Sequence, residues 1–281
     1  MNHIPPILLA GFGKMGGAML AGWRERGLAP SFGVDPSCPA SPGPEFTVLA
    51  DAAELPADFA PAAVVLAVKP QNAAAVLPLY ARFAGRAVFL SIMAGQNLAT
   101  MGGLLGNTAS VVRAMPNTPA AIRQGITVAC AGAHVSPDQR ALCHDLLAAI
   151  GTVAWVDDEA LIDPVTAVSG GGPAYVFLLA ELLERAAIEQ GIPAELARAL
   201  ARQTVAGSGA LLAASTEDAA ILRRNVTSPA GTTERALAVL MQEAAWPAAM
   251  SRAIEAATER SRELARGGGL TKPDAAPISV S

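Results

Sequence analysis

In the first half of this 281-residue chain, short β-branched runs alternate with alanine-rich helical runs. This alternation limits the possible folds more than any other feature of the sequence. The runs that predict strands are Ile7–Ala10, Phe32–Val34, Ala63–Val68, Ala87–Ile92, Ser110–Arg113, Thr127–Cys130 and Val153–Val156. Helical patterns lie between most of them, the first over Gly16–Arg26. Such alternation indicates βαβ units, in which helices cover both faces of a largely parallel sheet.

The second half changes character after about Glu159, because no further strand is predicted there and helical periodicity dominates. The predicted helices are Pro173–Gln190, Glu195–Ala213, Thr233–Met241 and Ser251–Arg266. We therefore expect an α/β domain over residues 1–158, an all-helical domain over residues 159–266 and a flexible tail over residues 267–281.

Composition limits the classes of function. Hydrophobic residues make up 52% of the chain and charged residues 16%, which argues against disorder and suggests apolar subunit contacts. A net charge of −4 offers no attraction to nucleic acid or acidic membranes. Lysine, proline or glycine interrupts the apolar stretches well before membrane-spanning length, and the pattern of the first residues leads us to expect no export signal. We expect a cytoplasmic protein with no nucleic-acid or membrane partner.

Cysteine and histidine spacing gives no sign of a metal site. The three cysteines have no CxxC spacing, and the three histidines form no HxxH or HxxxH pair. We expect the cysteines to be small buried residues of a reducing compartment.

The turn Gly11–Gly16, GFGKMG, follows the first predicted strand and opens the first predicted helix, as a dinucleotide fingerprint requires. Gly11 permits the tight turn, Gly13 lets the backbone approach a pyrophosphate, and Gly16 allows close packing of the helix. Free N–H groups at the helix start attract the anion. A glycine-rich turn can be only a turn, but its place in the first βαβ unit favours cofactor binding.

Asp35 ends the second predicted strand, 19 residues beyond Gly16. An acid at this position accepts hydrogen bonds from the ribose hydroxyls and repels a 2′-phosphate. Alternatively, Asp35 is a solvated turn residue, and Ser37 equally offers a hydroxyl to a phosphate. The choice between NADH and NADPH therefore stays open, with a lean towards NADH.

The chain has only three lysines, Lys14, Lys69 and Lys272. Their small number bears on the choice between oxidation of an alcohol and reduction of an imine. Hydroxyacid dehydrogenases with a similar two-domain layout use a lysine of the helical domain as acid and base, and none is available here. Oxidation of an alcohol needs such a base. An imine nitrogen is itself basic, so imine reduction is less demanding.

Six segments carry a resemblance to a known family. They are Gly11–Gly16, Ala67–Pro70 (AVKP), Ser91–Gly95 (SIMAG), Arg113–Pro119 (RAMPNTP), Val168–Tyr175 (VSGGGPAY) and Asn225–Thr233 (NVTSPAGTT). In order and spacing the chain resembles the pyrroline-5-carboxylate reductase family from Ile7 to Leu264.

The resemblance implies a Rossmann-like NAD(P)-binding domain followed by an all-α dimerisation domain that interlocks with a partner. The implied assembly is a homodimer, and a ring of dimers is compatible with it. The implied reaction is reduction of 1-pyrroline-5-carboxylate to L-proline with NADPH or NADH, the final step of proline biosynthesis. Alternatives are reduction of another cyclic imino acid, such as a piperideine carboxylate, or nucleotide sensing without catalysis on the same scaffold.

The resemblance also implies a set of cofactor-binding residues. They are Ala10, Gly11, Phe12, Gly13, Lys14, Met15, Gly16, Asp35, Ala67, Val68, Lys69, Pro70, Ile92, Met93, Ala94 and Asn117. Two of them have alternative interpretations. Lys69 either faces the cofactor or caps a strand terminus in solvent, and Asn117 either lies near the nicotinamide or initiates a simple turn.

The segment Thr227–Thr233 is the implied substrate clamp, because free N–H groups at the start of the following helix suit a carboxylate. By resemblance the catalytic residue is Thr233, which orients the imine nitrogen, whereas the alternative is that Thr232 or Thr233 only caps the helix. The implied substrate-binding residues are Thr232, Gly231, Asn225 and Glu159.

Two departures from the family pattern affect the clamp. The usual Pro-Gly-Gly is Pro-Ala-Gly, which requires Ala230 to avoid a glycine-only conformation. Arg223 and Arg224 stand where many relatives have a lysine, and the acidic partner is either Glu217 or Asp218.

Overall fold

The computed structural model describes residues 3–37 and 41–266, which contain eight strands and ten α-helices. The strands are β1 (Ile7–Ala10), β2 (Ser31–Val34), β3 (Phe46–Leu49), β4 (Ala63–Leu66), β5 (Val88–Ser91), β6 (Val111–Met115), β7 (Gly125–Ala131) and β8 (Gly151–Val156). The helices are α1 (Lys14–Glu25), α2 (Ala73–Val76), α3 (Leu98–Leu105), α4 (Pro137–Ala148), α5 (Ile162–Val165), α6 (Gly172–Glu189), α7 (Ala194–Ala214), α8 (Ala219–Asn225), α9 (Thr232–Leu240) and α10 (Trp246–Ala265).

All eight strands form one sheet in the order β3-β2-β1-β4-β5-β6-β7-β8. Every neighbouring pair is parallel except β6 and β7, which are antiparallel. The chain runs outwards from β1 in one direction to β3 and then in the other from β4, so the strand order reverses between β1 and β4. Ligands of open α/β sheets bind at the carboxyl ends of the strands at such a point. The predicted α/β class with a largely parallel sheet is confirmed.

Helices cover both faces of the sheet, which explains why the central strands β1, β4 and β5 are buried at every position rather than at alternate ones. In β1, Ile7 and Leu9 belong to a core shared with α1 and α4, whereas Leu8 and Ala10 belong to the core on the opposite face. Trp23 of α1 is fully buried, and its indole Nε1 donates a hydrogen bond to the carbonyl of Leu146 at 2.8 Å.

The predicted and observed elements differ in several places, often by one or two residues at an end. β3 was not predicted, because its four residues follow the loop-forming segment SPGP and the strand lies at the sheet edge. α8 was not predicted either, since it has only seven residues. The strand predicted to reach Val68 ends at Leu66, and α10 begins at Trp246 rather than Ser251.

The chain forms two compact units whose boundary differs from the predicted one at Asp158. Met1–Gly170 and the chain from Ala257 onwards form the first unit, and Gly171–Ala256 form the second. The first unit therefore keeps α5 and the last turns of α10, because polar contacts described below join both to the sheet. The tail predicted over residues 267–281 lies outside the described residues.

The second unit exposes many apolar side chains on its own surface. In it α6 packs along α7. Phe177 is 68% exposed and Leu178 51%, and Leu196 and Leu211 are also more than half exposed. An apolar surface of this extent is typical of a protein interface.

Among the described residues, Glu159–Glu189 is a helical stretch long and apolar enough to cross a membrane by length and composition alone. It exceeds the apolar stretches expected from the sequence because a 3₁₀ turn, α5, a π-helical turn and α6 follow one another without a break. A helix that packs against a partner chain meets the same criterion, so the stretch is weak evidence for a membrane.

Candidate active site

A cleft of about 480 Å³ lies at the carboxyl ends of β1, β2 and β4. Six predicted cofactor residues line it: Gly11, Gly13, Asp35, Ala67, Val68 and Lys69. No sequence pattern pointed to most of the other lining residues, which are Val34, Pro36, Ser37, Ala50, Asp51, Ala52, Asn72, Val76, Leu79 and Tyr80. The cleft is where the fold predicts a dinucleotide.

Each glycine of the turn occupies a different environment. Gly11 has φ +91°, and a Cβ there would lie 2.6 Å from the carbonyl oxygen of Ala67. A Cβ on Gly16 would lie 2.6 Å from the carbonyl oxygen of Gly11, so α1 starts directly against the turn. Gly13 has no atom within 4 Å of its Cβ position, and it lines the cleft. The turn therefore leaves room for a pyrophosphate to approach the backbone.

The N-terminus of α1 supports the same conclusion about the cofactor. The N-cap residue is Gly13, and no side chain caps the helix. The first amide groups of a helix have no intrahelical partner, and they favour an anion. The glycine turn and the free amides at the start of α1 thus fit the diphosphate of a nicotinamide dinucleotide.

Asp35 fastens this turn to the end of β2. One carboxylate oxygen accepts the Phe12 N–H at 2.6 Å, and the other accepts the N–H and hydroxyl of Ser37 at 2.8 and 2.7 Å. Burial raises the pKa of Asp35, but the hydrogen bonds from Ser37 and Phe12 outweigh burial and hold the pKa below its ordinary value of 3.8. Asp35 is therefore ionised at neutral pH.

The same end of the cleft contains a second carboxylate and a phenol. Asp51 accepts the Ala53 N–H at 2.8 Å. Burial, followed by the negative charges of Asp51 and Asp35, raises the pKa of Tyr80 to about 12. Two carboxylates thus make this end of the cleft electrostatically negative.

Several predicted cofactor residues direct their side chains into the core instead. Phe12 stacks on Phe46 with a centroid separation of 6.2 Å, and Met15 is partly buried against the same core. Ala10 and Met93 are at most 2% exposed. Ala10 and Met93 can therefore offer only backbone groups to a ligand, whereas Phe12 and Met15 are partly exposed.

Lys69 is exposed on the cleft wall, and its side chain does not cap the 3₁₀ helix that follows it. Lys14 is exposed at the first position of α1, and Pro70 begins the 3₁₀ helix beside the cleft.

The loops after β5 and β6 start at the same edge of the sheet as the cleft. Leu66 pairs with Ser91 and Ser91 with Arg113, so the three strands end close to one level. The predicted residues Ile92–Ala94 follow β5, and Asn117 follows β6 by two residues. The Asn117 Oδ1 accepts the N–H of Ile126 at 2.9 Å and thereby braces β7. Its backbone carbonyl also accepts the N–H of Ala120, as in a turn.

The predicted clamp lies in the second unit, at the start of α9. Gly231 occupies the N-cap position and Thr232 and Thr233 the first two helical positions, with no side chain as cap. The first-turn amides are therefore not satisfied by a capping side chain. The interpretation in which a threonine only caps the helix does not describe this geometry.

Ala230 corrects one expectation, because it does adopt a left-handed backbone with φ +56°. The conformation costs an alanine about 1 kcal/mol. Glu234 offsets part of this cost, since its Oε2 accepts the Ala230 N–H at 2.7 Å. A Cβ on Gly231 would collide with the hydroxyl of Ser228 and lie 3.0 Å from its carbonyl oxygen, so a larger residue there would require the Ser228 side chain to move.

The residues before the clamp form their own contacts. Asn225 ends α8, and its Nδ2 donates to Glu217 Oε2 at 3.4 Å. The hydroxyl of Thr227 donates to the carbonyl of Arg223 at 2.7 Å.

Glu159 belongs to the first unit and does not line the dinucleotide cleft. Its Oε1 accepts the Leu98 N–H at 2.8 Å and pairs with Arg113 at 3.0 Å. It lines a separate cleft of about 450 Å³ together with Cys130 and His134. The available sequence signal for these contacts was Arg113 itself, a charged residue inside an otherwise apolar strand.

Comparisons with known proteins identify the family. A family model described as pyrroline-5-carboxylate reductase dimerisation matches residues 159–264. A pyrroline-5-carboxylate reductase from Pseudomonas aeruginosa is 40% identical over 269 residues, which cover 93% of this chain and 97% of that protein. One from Synechocystis sp. is 41% identical over 203 residues, covering 72% of this chain and 75% of that protein.

Solved structures agree with these matches. The pyrroline-5-carboxylate reductase structure from Coxiella burnetii has a TM-score of 0.83 at 31% identity, covering 92% of this chain and 97% of that one. The Plasmodium falciparum pyrroline carboxylate reductase, solved with NADP bound, has a TM-score of 0.78 at 28% identity and covers 92% of this chain and 98% of that one. With a dinucleotide cleft in its α/β unit and such relatives along nearly its full length, this chain belongs to the pyrroline-5-carboxylate reductase family of oxidoreductases.

Proposed function

We propose that this protein reduces 1-pyrroline-5-carboxylate to L-proline with a nicotinamide cofactor, the final step of proline biosynthesis. The observation that carries the proposal is the 40% identity to a pyrroline-5-carboxylate reductase over 93% of the chain. The cleft at the carboxyl ends of β1, β2 and β4 supports it independently, because its shape and amides suit a dinucleotide.

The chemistry adds a hydride and a proton across the C=N bond of the substrate. The bound reduced nicotinamide supplies the hydride that the imine carbon receives. Gly13 and the first amides of α1 would hold its pyrophosphate, and Asp35 would accept hydrogen bonds from its ribose hydroxyls. Ile92–Ala94 and Asn117 orient the nicotinamide side of the cofactor.

The first turn of α9 binds the substrate. The amides of Thr232 and Thr233 hold the carboxylate, and the uncapped geometry of this turn supports that role, whereas the Gly231 N–H already donates to the Ser228 carbonyl at 3.1 Å. The Thr233 hydroxyl holds the ring nitrogen and helps deliver its proton. Holding both reactants in a fixed orientation accounts for most of the rate enhancement.

The complete site is shared between two copies of the chain, one supplying the nucleotide cleft and the other the clamp. The match of residues 159–264 to a dimerisation family and the exposed apolar side chains of α6 and α7 support an interlocked homodimer. Such dimers assemble further into a ring.

We also propose that the protein prefers NADH and acts in the cytoplasm. The negative charges of Asp35 and Asp51 disfavour the additional phosphate of NADPH at the ribose end of the cleft. Cys130 and Cys143 are buried free thiols, as is usual in a reducing compartment. Cys38 lies outside the described residues.

The decisive experiment incubates the purified protein with 1-pyrroline-5-carboxylate and either NADH or NADPH, and follows the loss of reduced-cofactor absorbance. We expect turnover, with proline as the product. Absorbance that stays flat with both cofactors would contradict the proposal.

Thr233→Ala tests the clamp. It should lower kcat by roughly 100-fold, as loss of a group that positions or protonates the reacting atom does, whereas Thr233→Ser should retain most activity. Ser251→Ala, which removes an exposed hydroxyl of α10, is the matched control. Equal kcat in Thr233→Ala and the wild type would remove Thr233 from the mechanism.

A further inference from the structure

A buried arginine in the middle of the sheet is the strongest feature that the proposed reaction leaves unexplained. Arg113 lies on β6, is 3% exposed, and has apolar neighbours on either side in the strand. Its Nη1 pairs with Glu159 Oε1 at 3.0 Å and its Nη2 with Asp163 Oδ1 at 3.3 Å. Both carboxylates come from the segment that follows β8.

The first arm of this network ends on the loop that follows β5. The Oε1 of Glu159 accepts the N–H of Leu98, the first residue of α3, at 2.8 Å. Asn97 caps the same helix by accepting the Thr100 N–H at 2.7 Å. The end of the loop Ile92–Asn97 is therefore held by two side chains, one of which is paired with Arg113.

The second arm reaches the last turns of α10. The Ser261 hydroxyl donates to Asp163 Oδ1 at 2.8 Å, the same oxygen that faces Arg113. One turn further along, Leu264 packs against Gly95, where an added Cβ would lie 3.0 Å from the Leu264 Cβ. Gly95 has φ +69°, a left-handed backbone conformation that favours glycine at this point of the loop. The two arms of the network thus contact the loop Ile92–Asn97 at its middle and at its end.

A buried ion pair contributes little net stability compared with an apolar replacement, because removing two charges from water offsets their attraction. Such a pair nevertheless fixes geometry, because a planar guanidinium that pairs with two carboxylates sets the relative positions of all three groups. A network that ends on a backbone amide next to a cofactor loop therefore acts on the shape of that loop.

We propose that Arg113 and Glu159 are positioning residues that hold the loop Ile92–Asn97 in the shape that receives the nicotinamide end of the cofactor. The inference rests on the proposed function in one respect, namely that this loop faces the cofactor. It gives Glu159 a role through the protein backbone rather than through contact with the substrate.

The test compares Glu159→Ala with Glu159→Gln, using the full-length protein in its native assembly. Glutamine keeps an oxygen that can accept the Leu98 N–H, whereas alanine keeps none. Each variant is examined by NADH fluorescence titration without substrate, by steady-state kinetics and by thermal unfolding. Glu263→Gln, which breaks the exposed pair with Arg260 on α10, is the control.

We expect Glu159→Ala to weaken NADH binding and lower kcat, each by roughly tenfold, while the KM for pyrroline carboxylate changes by less than about threefold. Glu159→Gln should recover NADH affinity to within about threefold of the wild type. Should the alanine variant fail to fold, Glu159→Asp keeps the charge but shortens its reach to Leu98, and it should weaken NADH binding in the same direction.

Two results would overturn the inference. One is unchanged NADH affinity in a folded Glu159→Ala protein, which would leave the network a purely structural role. The other is a raised KM for pyrroline carboxylate in both variants with normal NADH affinity, which would make Glu159 a substrate contact. The NADH titration needs no turnover, so its outcome is separate from a failure of the wild-type activity assay.

Discussion

At the scale of single residues, Asp35 connects two loops of the cleft, and we expect its charge to favour NADH over NADPH. Its carboxylate accepts three hydrogen bonds from Phe12 and Ser37, which join the glycine turn to the loop after β2. Because these bonds favour the ionised form, the negative charge is present at every pH at which the protein is expected to work. A cofactor that carries a further phosphate at this point meets that charge.

Asp35→Asn should shift cofactor preference towards NADPH. Asparagine keeps a side-chain oxygen for the Phe12 N–H but removes the charge, so the ratio of NADPH to NADH affinity should rise about tenfold, or ~1.4 kcal/mol. Fluorescence titration with both cofactors measures the ratio. An unchanged ratio would mean that Asp35 has no part in selection.

The pH dependence of the same ratio is a second check on Asp35. Because the folded-state pKa of Asp35 lies below 3.8, its charge is lost only as the pH falls through that lower value. A phosphate monoester takes up a proton at about pH 6. Discrimination against NADPH should therefore weaken between about pH 7.5 and 5.5 in the wild type, and much less in Asp35→Asn.

At the scale of elements, β1, the glycine turn and the start of α1 form one unit whose spacing depends on missing side chains. Gly11 and Gly16 approach other backbone atoms so closely that a Cβ on either would lie 2.6 Å from a carbonyl oxygen. Gly17, one residue further along α1, has no atom within 4 Å of its Cβ position. Gly16 therefore has no room for a side chain, whereas Gly17 has.

Gly16→Ala and Gly17→Ala form a matched pair that tests this geometry. Gly17→Ala should raise the free energy of unfolding by up to about 1 kcal/mol, because alanine is the better helix former, and should leave NADH affinity unchanged. Gly16→Ala should displace the start of α1 and weaken NADH binding by at least roughly tenfold. Thermal unfolding and NADH titration measure both effects, and equal NADH affinity in the two variants would refute the argument.

At the scale of the whole molecule, apolar side chains remain exposed on the second unit although the first unit is well packed. The core clusters of the first unit contain side chains that are fully buried, such as Trp23 and Phe89. On α6, by contrast, Phe177 is 68% exposed. Residues 159–264 match a dimerisation family, so a second copy of the chain accounts for this surface.

Phe177→Glu should shift the protein from dimer towards monomer, and activity should fall with the dimer fraction because the proposed site needs residues from two copies of the chain. Ile122→Glu is the matched control for assembly, since Ile122 is 69% exposed but lies outside the matched region. Light scattering coupled to size exclusion measures the mass of each variant. A Phe177→Glu protein that stays dimeric at low micromolar concentration would place the interface elsewhere.

The sequence by itself determined the features that depend on local pattern. Apolar runs separated by helical runs specify buried parallel strands, and the glycine turn specifies a dinucleotide cleft, because both signals lie within about 30 residues of chain. The family motifs likewise identified the reductase. The helix starting at Thr232 was predicted to within one residue, since its amphipathic pattern is local.

Tertiary structure alone decided the features that depend on residues far apart in the sequence. Arg113 meets Glu159 at a separation of 46 residues, and Asp163 meets Ser261 at 98, so no local pattern could pair them. The same holds for Asp51 and Tyr80 at the cleft and for the return of α10 to the first unit. Periodicity reports which face of an element is buried, whereas the partner of a buried polar group is set by where the folded chain returns.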